Sequence, residues 1–181
     1  MPFLSSLPAE AGARDVFKLN KAAGRAMIDY HTAVMRQPSA LSEGERELIA
    51  AYVSGLNSCQ YCHGVHAQTA AAFGLEADLL ASLIDDLEAA GIDEKLRPIL
   101  HLARKLTQSP GKLVAADTEA VLAAGWDERA LHDAINVICL FNFMNRLVEG
   151  HGIEGSEAVF QQRGVALKES GYAPLLNYLE G

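Results

Sequence analysis

The fold is decided by residues 42–66, which read SEGERELIAAYVSGLNSCQYCHGVH. The stretch opens with a capping box, in which Ser42 can accept a hydrogen bond from the free backbone amide three residues on. Apolar residues then recur at helical spacing as far as Leu56, and the pattern ends at Asn57. Ser58 is a suitable N-cap for a second helix over residues 59–73. The stretch therefore predicts two helices joined by a short turn.

Helical periodicity also dominates the rest of the chain. One long helix with a single apolar stripe is predicted from Arg14 to Pro38, which stops it. Further helices are predicted over residues 79–91, 93–108, 117–125 and 127–150, with a weaker one after residue 155. The helix after Asp127 is apolar on nearly all sides near its middle, so we expect it to be central or to face another subunit. Without alternating β-branched runs, repeats or linkers, the pattern predicts an all-α, single-domain helical bundle over residues 1–181.

Composition excludes several classes of function. The chain has 181 residues, 50% of them hydrophobic, and 23 acidic against 15 basic side chains give a net charge of −8. That charge leaves no basic field for nucleic acid or anionic lipid, and the longest apolar run is too short to span a membrane. Three cysteines are too few for a disulfide scaffold, and an odd number cannot all be paired within one chain. The first eight residues do not have the pattern of a secretory signal, so we expect a cytoplasmic protein.

Residues 58–66 hold two of the three cysteines and two of the six histidines. Cys59 and Cys62 form a C-x-x-C at the predicted helix N-terminus, where free amides and the helix dipole favour a thiolate. His66 lies four residues after Cys62, so the two share a helix face. Cys59, at the very start of the helix, is expected to be the more exposed sulfur. The cluster predicts dithiol/disulfide chemistry at a helix N-terminus.

Glu47 is added to this site on geometric grounds. It stands ten residues before Asn57, and His66 stands eight residues after Ser58. In an antiparallel helix pair, both side chains would lie roughly 12–15 Å from the connecting turn. At equal depth they can form a hydrogen-bonded pair, with His66 as the base for Cys62 and Glu47 as the group that orients it.

Three other interpretations of the same residues stay open. The cysteines can be ordinary half-buried side chains and the histidines surface residues. A zinc site can be drawn from Cys59, Cys62, His66 and Glu47, although no second close pair of ligands is present. Residues 59–63 also have the C-x-x-C-H pattern of c-type haem attachment, which normally accompanies an exported chain.

The remaining candidates are weaker. Cys139 lies inside the apolar run and is expected to be an inert core thiol. His101 and His132 lie on amphipathic helices and are expected at core or boundary positions. Asn145 and Arg146 can line a pocket or tie subunits together, and we expect the Arg146 guanidinium to be buried on a carboxylate.

The spacing of Glu47, Cys59, Cys62 and His66 resembles that of the alkylhydroperoxidase D family, which shares its all-helical fold with the carboxymuconolactone decarboxylases. The residues flanking Glu47 and the segments 124–126 (AGW) and 141–146 (FNFMNR) are similar to its peroxidase-related branch. The likeness covers the chain from about residue 30 to residue 151.

The resemblance implies a role for each residue. Cys62 would attack the peroxide and become a sulfenic acid, Cys59 would resolve it to a disulfide, and Glu47 and His66 would relay protons. Some members of the family place a relay histidine directly before the second cysteine, where this chain has Tyr61. His63, which follows Cys62, is either a substitute for that histidine or a surface residue.

The function predicted in this way is a thiol-dependent peroxidase that reduces alkyl hydroperoxides or hydrogen peroxide. It is expected to need no cofactor and no metal, to use an external dithiol reductant or reductase as its partner, and to form a homodimer or a hexamer. A lactone decarboxylase-like lyase on the same fold is the alternative enzyme, and a metal- or haem-binding module is the alternative of another class.

Overall fold

The computed structural model describes residues 1–76 and 79–181, and within them the secondary structure is entirely helical. Helices α3 and α4 pack along each other, α4 also packs on α9, and α8 lies against α3 and α6. One apolar core runs through these helices. The helices are α1 (Ala13–Lys18), α2 (Lys21–Arg36), α3 (Glu43–Leu56), α4 (Gln60–Ala72), α5 (Leu79–Asp85), α6 (Arg97–Gln108), α7 (Ala115–Ala123), α8 (Glu128–Gly150), α9 (Glu157–Ser170) and α10 (Leu175–Glu180), with a 3₁₀ turn at Pro110–Lys112.

The helix termini follow the capping signals in the sequence. Ser42 caps α3 in a full capping box, since its hydroxyl accepts from the amide of Glu45 and its own amide donates to the Glu45 carboxylate. Asp127 caps α8 by accepting from the amide of Ala130. The all-α prediction is confirmed, together with the start of α3 and both ends of α8.

The single helix predicted from Arg14 to Pro38 is wrong, because the chain forms α1 and α2 with a break between them. Asn20 makes the break by adopting an extended conformation and accepting from the amide of Ala23, which caps α2. Gly24 then lets α2 cross α1 closely, since a Cβ there would lie 2.5 Å from the Phe17 carbonyl oxygen.

The predicted bounds of α5 and α6 also differ from the structure. Helix α5 ends at Asp85 because the carboxylate of Asp86 accepts from the amides of Glu88 and Ala89 and turns the chain. Helix α6 begins at Arg97 and not after Asp93. Pro98 explains the late start, because a proline has no amide hydrogen and fits only the first turn of a helix.

Helix α8 is buried on one face and exposed on the other. Its residues Val137, Ile138 and Phe141 are buried against the other helices, whereas Phe143 is half exposed. No helix in the described ranges is long and apolar enough to cross a membrane.

Two glycines bring α9 onto α4, which carries the cysteine motif. A Cβ at Gly164 would lie 2.8–2.9 Å from backbone atoms of Gln68 and Thr69, and a Cβ at Gly64 would meet the ring of Phe160. Backbone atoms cannot move aside as a flexible side chain can. The close approach of α9, which carries part of the wall of the site, therefore depends on these glycines.

We expect Gly164→Ala to destabilise the protein by about 1–3 kcal/mol, because the added methyl group forces α9 away from α4. Urea unfolding measures the change. Gly150→Ala is the matched control, since a Cβ at that position meets nothing within 4 Å. Equal stability of Gly164→Ala and the unmodified protein would contradict this account of the packing.

Candidate functional site

The turn between α3 and α4 fixes the position of the first cysteine. The amide of Ser58 donates to the carbonyl of Gly55 at 2.9 Å and the amide of Cys59 donates to the carbonyl of Ser54 at 2.9 Å, which is a Schellman motif. Ser58 takes the left-handed position of this motif at φ 56°. The N-cap of α4 is therefore Cys59, not Ser58 as expected, and Cys62 lies in the first turn of the helix.

The burial of the two sulfurs reverses the expectation that Cys59 is the more exposed. Cys59 is 0% exposed and Cys62 is 4% exposed. Both are free cysteines. Cys62 lines a cavity of about 90 Å³, whereas Cys59 does not. A small molecule that enters the cavity therefore meets the sulfur of Cys62.

The pKa of the Cys62 thiol is raised well above its ordinary value. Its hydrogen bond with Cys59 contributes most, burial adds to the rise, and a hydrogen bond with Asn145 acts in the opposite direction. The helix N-terminus predicts a thiolate at this position, whereas the surroundings of the sulfur favour the thiol. Reaction of Cys62 as a nucleophile therefore needs a base.

The pairing of Glu47 with His66 expected from their equal depth is present. His66 Nδ1 lies 2.6 Å from Glu47 Oε2, on facing helices. Because Nδ1 donates to the carboxylate, Nε2 is the ring nitrogen left to exchange a proton with another group. The ring of His66 also stands edge-on to Phe141, at 4.4 Å between centroids, and lines the same cavity as Cys62. Cys62 and His66 thus share one cavity wall.

Two further hydrogen-bond donors hold the Glu47 carboxylate, and neither is predicted from the sequence. Arg36 Nη2 donates to Oε1 at 2.6 Å, and the Tyr172 hydroxyl donates to Oε1 at 3.1 Å. Glu47 is fully buried, and burial alone would raise its pKa. His66 and Arg36 nevertheless hold the pKa of Glu47 below its ordinary value, so the carboxylate is ionised. The only sequence signal for Arg36 is that a buried carboxylate needs a cation.

Asn145 completes the surroundings of Cys62. It is buried, donates to the Ser54 hydroxyl at 2.9 Å and accepts from the Asn57 amide at 2.9 Å. These bonds aim its side chain, which also hydrogen-bonds Cys62. Arg146 does not behave as expected, because it is exposed and donates to the Asn142 carbonyl and side chain, and no carboxylate among residues 1–76 and 79–181 pairs with it.

His63 lies to one side of this arrangement. Its Nδ1 lies 3.0 Å from the Ala51 carbonyl oxygen, to which it donates, and the ring does not line the cavity. Its place in a proton relay stays a prediction. The expectation of a core thiol at Cys139 is wrong, because its position on α8 faces outward and the residue is exposed. His101 and His132 are also exposed, and His101 pairs with Glu88 at 2.8 Å.

The cavity in front of Cys62 is mostly apolar. Its apolar wall comes from α1, α2, α4, α8 and α9, through Phe17, Ile28, Val65, Phe141, Met144 and Leu167. Its polar groups other than those of Cys62 and His66 belong to Tyr61, Tyr172, His31, Arg14 and Arg163. The space therefore suits a small organic molecule with an apolar body.

His31 is a buried histidine on the wall of this cavity. Its Nδ1 donates to the Met27 carbonyl at 2.7 Å, and its ring contacts those of Phe17, Phe141 and Tyr172. Burial lowers the pKa of His31 to about 4. The ring is therefore neutral at physiological pH, with Nε2 as an acceptor.

The arrangement of donors does not suit a metal ion or a haem. Among residues 1–76 and 79–181, no three His, Cys, Asp or Glu side chains come close enough together to hold a metal ion. The oxygens of Glu47 are already engaged by Arg36, His66 and Tyr172. Cys59 is fully buried and does not line the cavity that Cys62 lines, so the two sulfurs do not open onto one cavity that could take a porphyrin.

Comparison with known proteins places the chain in a class. It is similar to an uncharacterized peroxidase-related protein from Silicibacter sp. TM1040, with 26% identity, a TM-score of 0.76, and coverage of 83% of this chain and 78% of that one. A second structure, an alkylhydroperoxidase AhpD core described as an uncharacterized peroxidase-related protein from Ralstonia eutropha JMP134, has 24% identity and a TM-score of 0.74. It covers 82% of this chain and 77% of its own. The fold is therefore that of the alkylhydroperoxidase D-like proteins.

Residues 21–105 match the family model described as the carboxymuconolactone decarboxylase family. This range contains Glu47, Cys59, Cys62 and His66. This match and the two similar structures confirm the resemblance drawn from the motif spacing. A comparison with curated proteins finds no match.

The neutral state of His31 should make stability depend on pH. The unfolded chain binds a proton to this residue near pH 6.5, whereas the folded protein binds it only near pH 4. The free energy of unfolding therefore has its full value, as far as His31 is concerned, above pH 6.5. It falls as the pH is lowered towards 4, by roughly 3 kcal/mol in all.

The measurement is urea unfolding at pH 7 and at pH 4.5, for the unmodified protein and for His31→Phe. We expect the loss of stability between the two pH values to be about 2 kcal/mol smaller in His31→Phe. His132→Gln, at an exposed position, serves as the control and should keep the full loss. An equal loss in all three proteins would show that His31 is not buried in its neutral form.

Proposed function

We propose that this protein is a thiol-dependent peroxidase that reduces alkyl hydroperoxides or hydrogen peroxide through a dithiol/disulfide cycle of Cys62 and Cys59. The observation that carries the proposal is the shared cavity wall of Cys62 and His66, with a buried, ionised Glu47 fixing the tautomer of that histidine. The peroxidase-related descriptions of the two similar structures support it. Antioxidant defence would be the biological role.

The first half of the cycle starts with proton transfer from the thiol of Cys62 to Nε2 of His66. The thiolate attacks the terminal oxygen of the hydroperoxide and the O–O bond breaks. The leaving alkoxide takes the proton from His66 and departs as an alcohol, and Cys62 becomes a sulfenic acid. Glu47 stabilises the imidazolium that exists between these two steps.

The second half of the cycle takes place between the two sulfurs. Cys59 attacks the sulfur of the Cys62 sulfenic acid, loses its proton, and expels water, which forms the disulfide. An external dithiol then reduces this disulfide and is itself oxidised. Because Cys62 and not Cys59 lines the cavity, the incoming thiolate of the reductant would attack the sulfur of Cys62.

A lactone decarboxylase-like lyase is the second candidate, because the family model that matches residues 21–105 carries that name. Such a reaction needs a base and a polar site for its substrate, both of which the cavity offers. It has no use for a pair of cysteines within hydrogen-bond reach of each other, and this pair favours the peroxidase.

We expect one equivalent of cumene hydroperoxide to consume two thiols per chain. The experiment is a thiol titration in a Cys139→Ser background, because the exposed third cysteine would otherwise react as well. Cys62→Ser should lose no thiol, and Cys59→Ser should stop at a sulfenic acid that dimedone traps. Survival of both thiols in the parent protein would rule out the peroxidase.

We expect Glu47→Gln to raise the pKa at which Cys62 is alkylated by iodoacetamide and to slow its oxidation by about 10²-fold or more. The reason is that His66 can take the thiol proton less readily once the carboxylate no longer stabilises its charged form. The measurement is the rate of alkylation against pH in the Cys139→Ser background.

Glu43→Gln is the matched control for this variant. Glu43 lies one turn earlier on α3, and its carboxylate is 3.5 Å from Arg36 Nε, so the substitution removes the same charge near the same arginine without touching His66. It should leave the alkylation profile unchanged. If the two variants behave alike, Glu47 acts only as a general negative charge and does not orient His66.

A further inference from the structure

The charged side chains that line the cavity are positive, although the protein as a whole is negatively charged. The chain carries a net charge of −8, yet two arginines and no acidic side chain are found among the described residues that line the cavity. Arg14 comes from α1 and Arg163 from α9, so two separate parts of the chain bring a guanidinium to the same opening. Such a pair in an otherwise apolar cavity favours an anion.

Arg14 has a donor that the protein itself does not satisfy. Its Nε is buried and has no hydrogen-bond partner among the described residues. The nearest acidic oxygen, Oδ2 of Asp15, is 4.0 Å away and already accepts from the amide of Gly12. The guanidinium is held over the ring of Tyr178, 4.3 Å from its centroid. The Arg14 side chain is 37% exposed, so its charge is open to an anion through the terminal nitrogens and not through the buried Nε.

Arg163 faces the same space from the other side. In the part of the chain that the structure describes, no carboxylate lies within 4 Å of it. Both arginines act on Tyr61, whose pKa burial raises and whose phenolate they would stabilise. Tyr61, Cys62 and the two arginines all line this cavity, so the positive charges and the sulfur belong to one site.

We infer that the cavity binds substrates that carry a carboxylate, so that its preferred substrate is a small organic hydroperoxide with an acid group at the end remote from the peroxide. The apolar body would pack on Phe17, Ile28 and Phe141, and the carboxylate would be held by Arg14 and Arg163. This inference rests on the proposed function for the hydroperoxide, whereas the carboxylate follows from the arginines alone.

The binding experiment tests the carboxylate site independently of the peroxidase reaction. The probe is 4-(2-hydroxypropan-2-yl)benzoate, the alcohol that would be left after reduction of the matching aromatic hydroperoxide. Isothermal titration with the full-length protein compares this carboxylate with its methyl ester. We expect the carboxylate to bind at least about tenfold more tightly, the size of one charge-assisted hydrogen bond.

The double variant Arg14→Gln/Arg163→Gln should reduce the preference for the carboxylate over its methyl ester to less than about threefold. The double variant Arg14→Lys/Arg163→Lys should retain part of the preference, because lysine keeps the charge. Arg129→Gln is the matched control: it removes the same charge from an exposed position on α8 and should keep the full preference. Circular dichroism checks that each variant is folded. Equal binding of acid and ester, or an unchanged preference in the double variant, would overturn the inference.

The reaction experiment uses the matching hydroperoxides, in free-acid and methyl-ester form, with the thiol titration as readout. Faster oxidation of Cys62 by the acid, lost in Arg14→Gln/Arg163→Gln, would support the inference. Oxidation of Cys62 at equal rates by acid and ester would overturn it and leave the peroxidase intact. Binding of the acid without any thiol loss would overturn the peroxidase and leave the carboxylate site.

Discussion

The buried carboxylate of Glu47 is the interaction on which the rest of the site depends. An ion of this kind costs several kcal/mol to remove from water, and it is tolerated only where donors surround it. Here Arg36, His66 and Tyr172 supply them, from α2, from α4 and from the turn before α10. Loss of any one donor leaves charge uncompensated, so these elements are tied to α3 at one point. The same bonds that hold the helices together set the tautomer of the histidine.

The chemistry of the cysteines depends on a second constraint, the Schellman turn after α3. By ending one helix and starting the next within three residues, it sets both cysteines at the start of α4 and turns α4 back along α3, which brings His66 to Glu47. The hydrogen bond with Cys59 and burial raise the pKa of Cys62, while His66 and Arg36 lower the pKa of Glu47 on the facing helix. The surroundings therefore favour a neutral thiol at Cys62 and a charged carboxylate at Glu47.

The sequence predicts those parts of the site that follow from local spacing. The pairing of Glu47 with His66 depends only on helical rise and a short turn, so it could be worked out from residue counts. Arg36 and Tyr172 could not, because their approach depends on how distant elements pack. The exposure of Cys139 was mispredicted because an apolar run does not show which side of a helix faces outward. The reversed burial of Cys59 and Cys62 depends on a turn geometry in which serine takes a position usually held by glycine.

Part of the cavity wall comes from outside the range that matches the family. Residues 21–105 carry Glu47, Cys59, Cys62 and His66, whereas Arg14, Phe141, Arg163 and Tyr172 lie outside that range. Selection can therefore act on these four wall residues without touching the motif. Sequence drift at these positions would reshape the cavity and leave the motif unchanged. Relatives with an identical motif can differ in substrate, and motif matching alone would group them together.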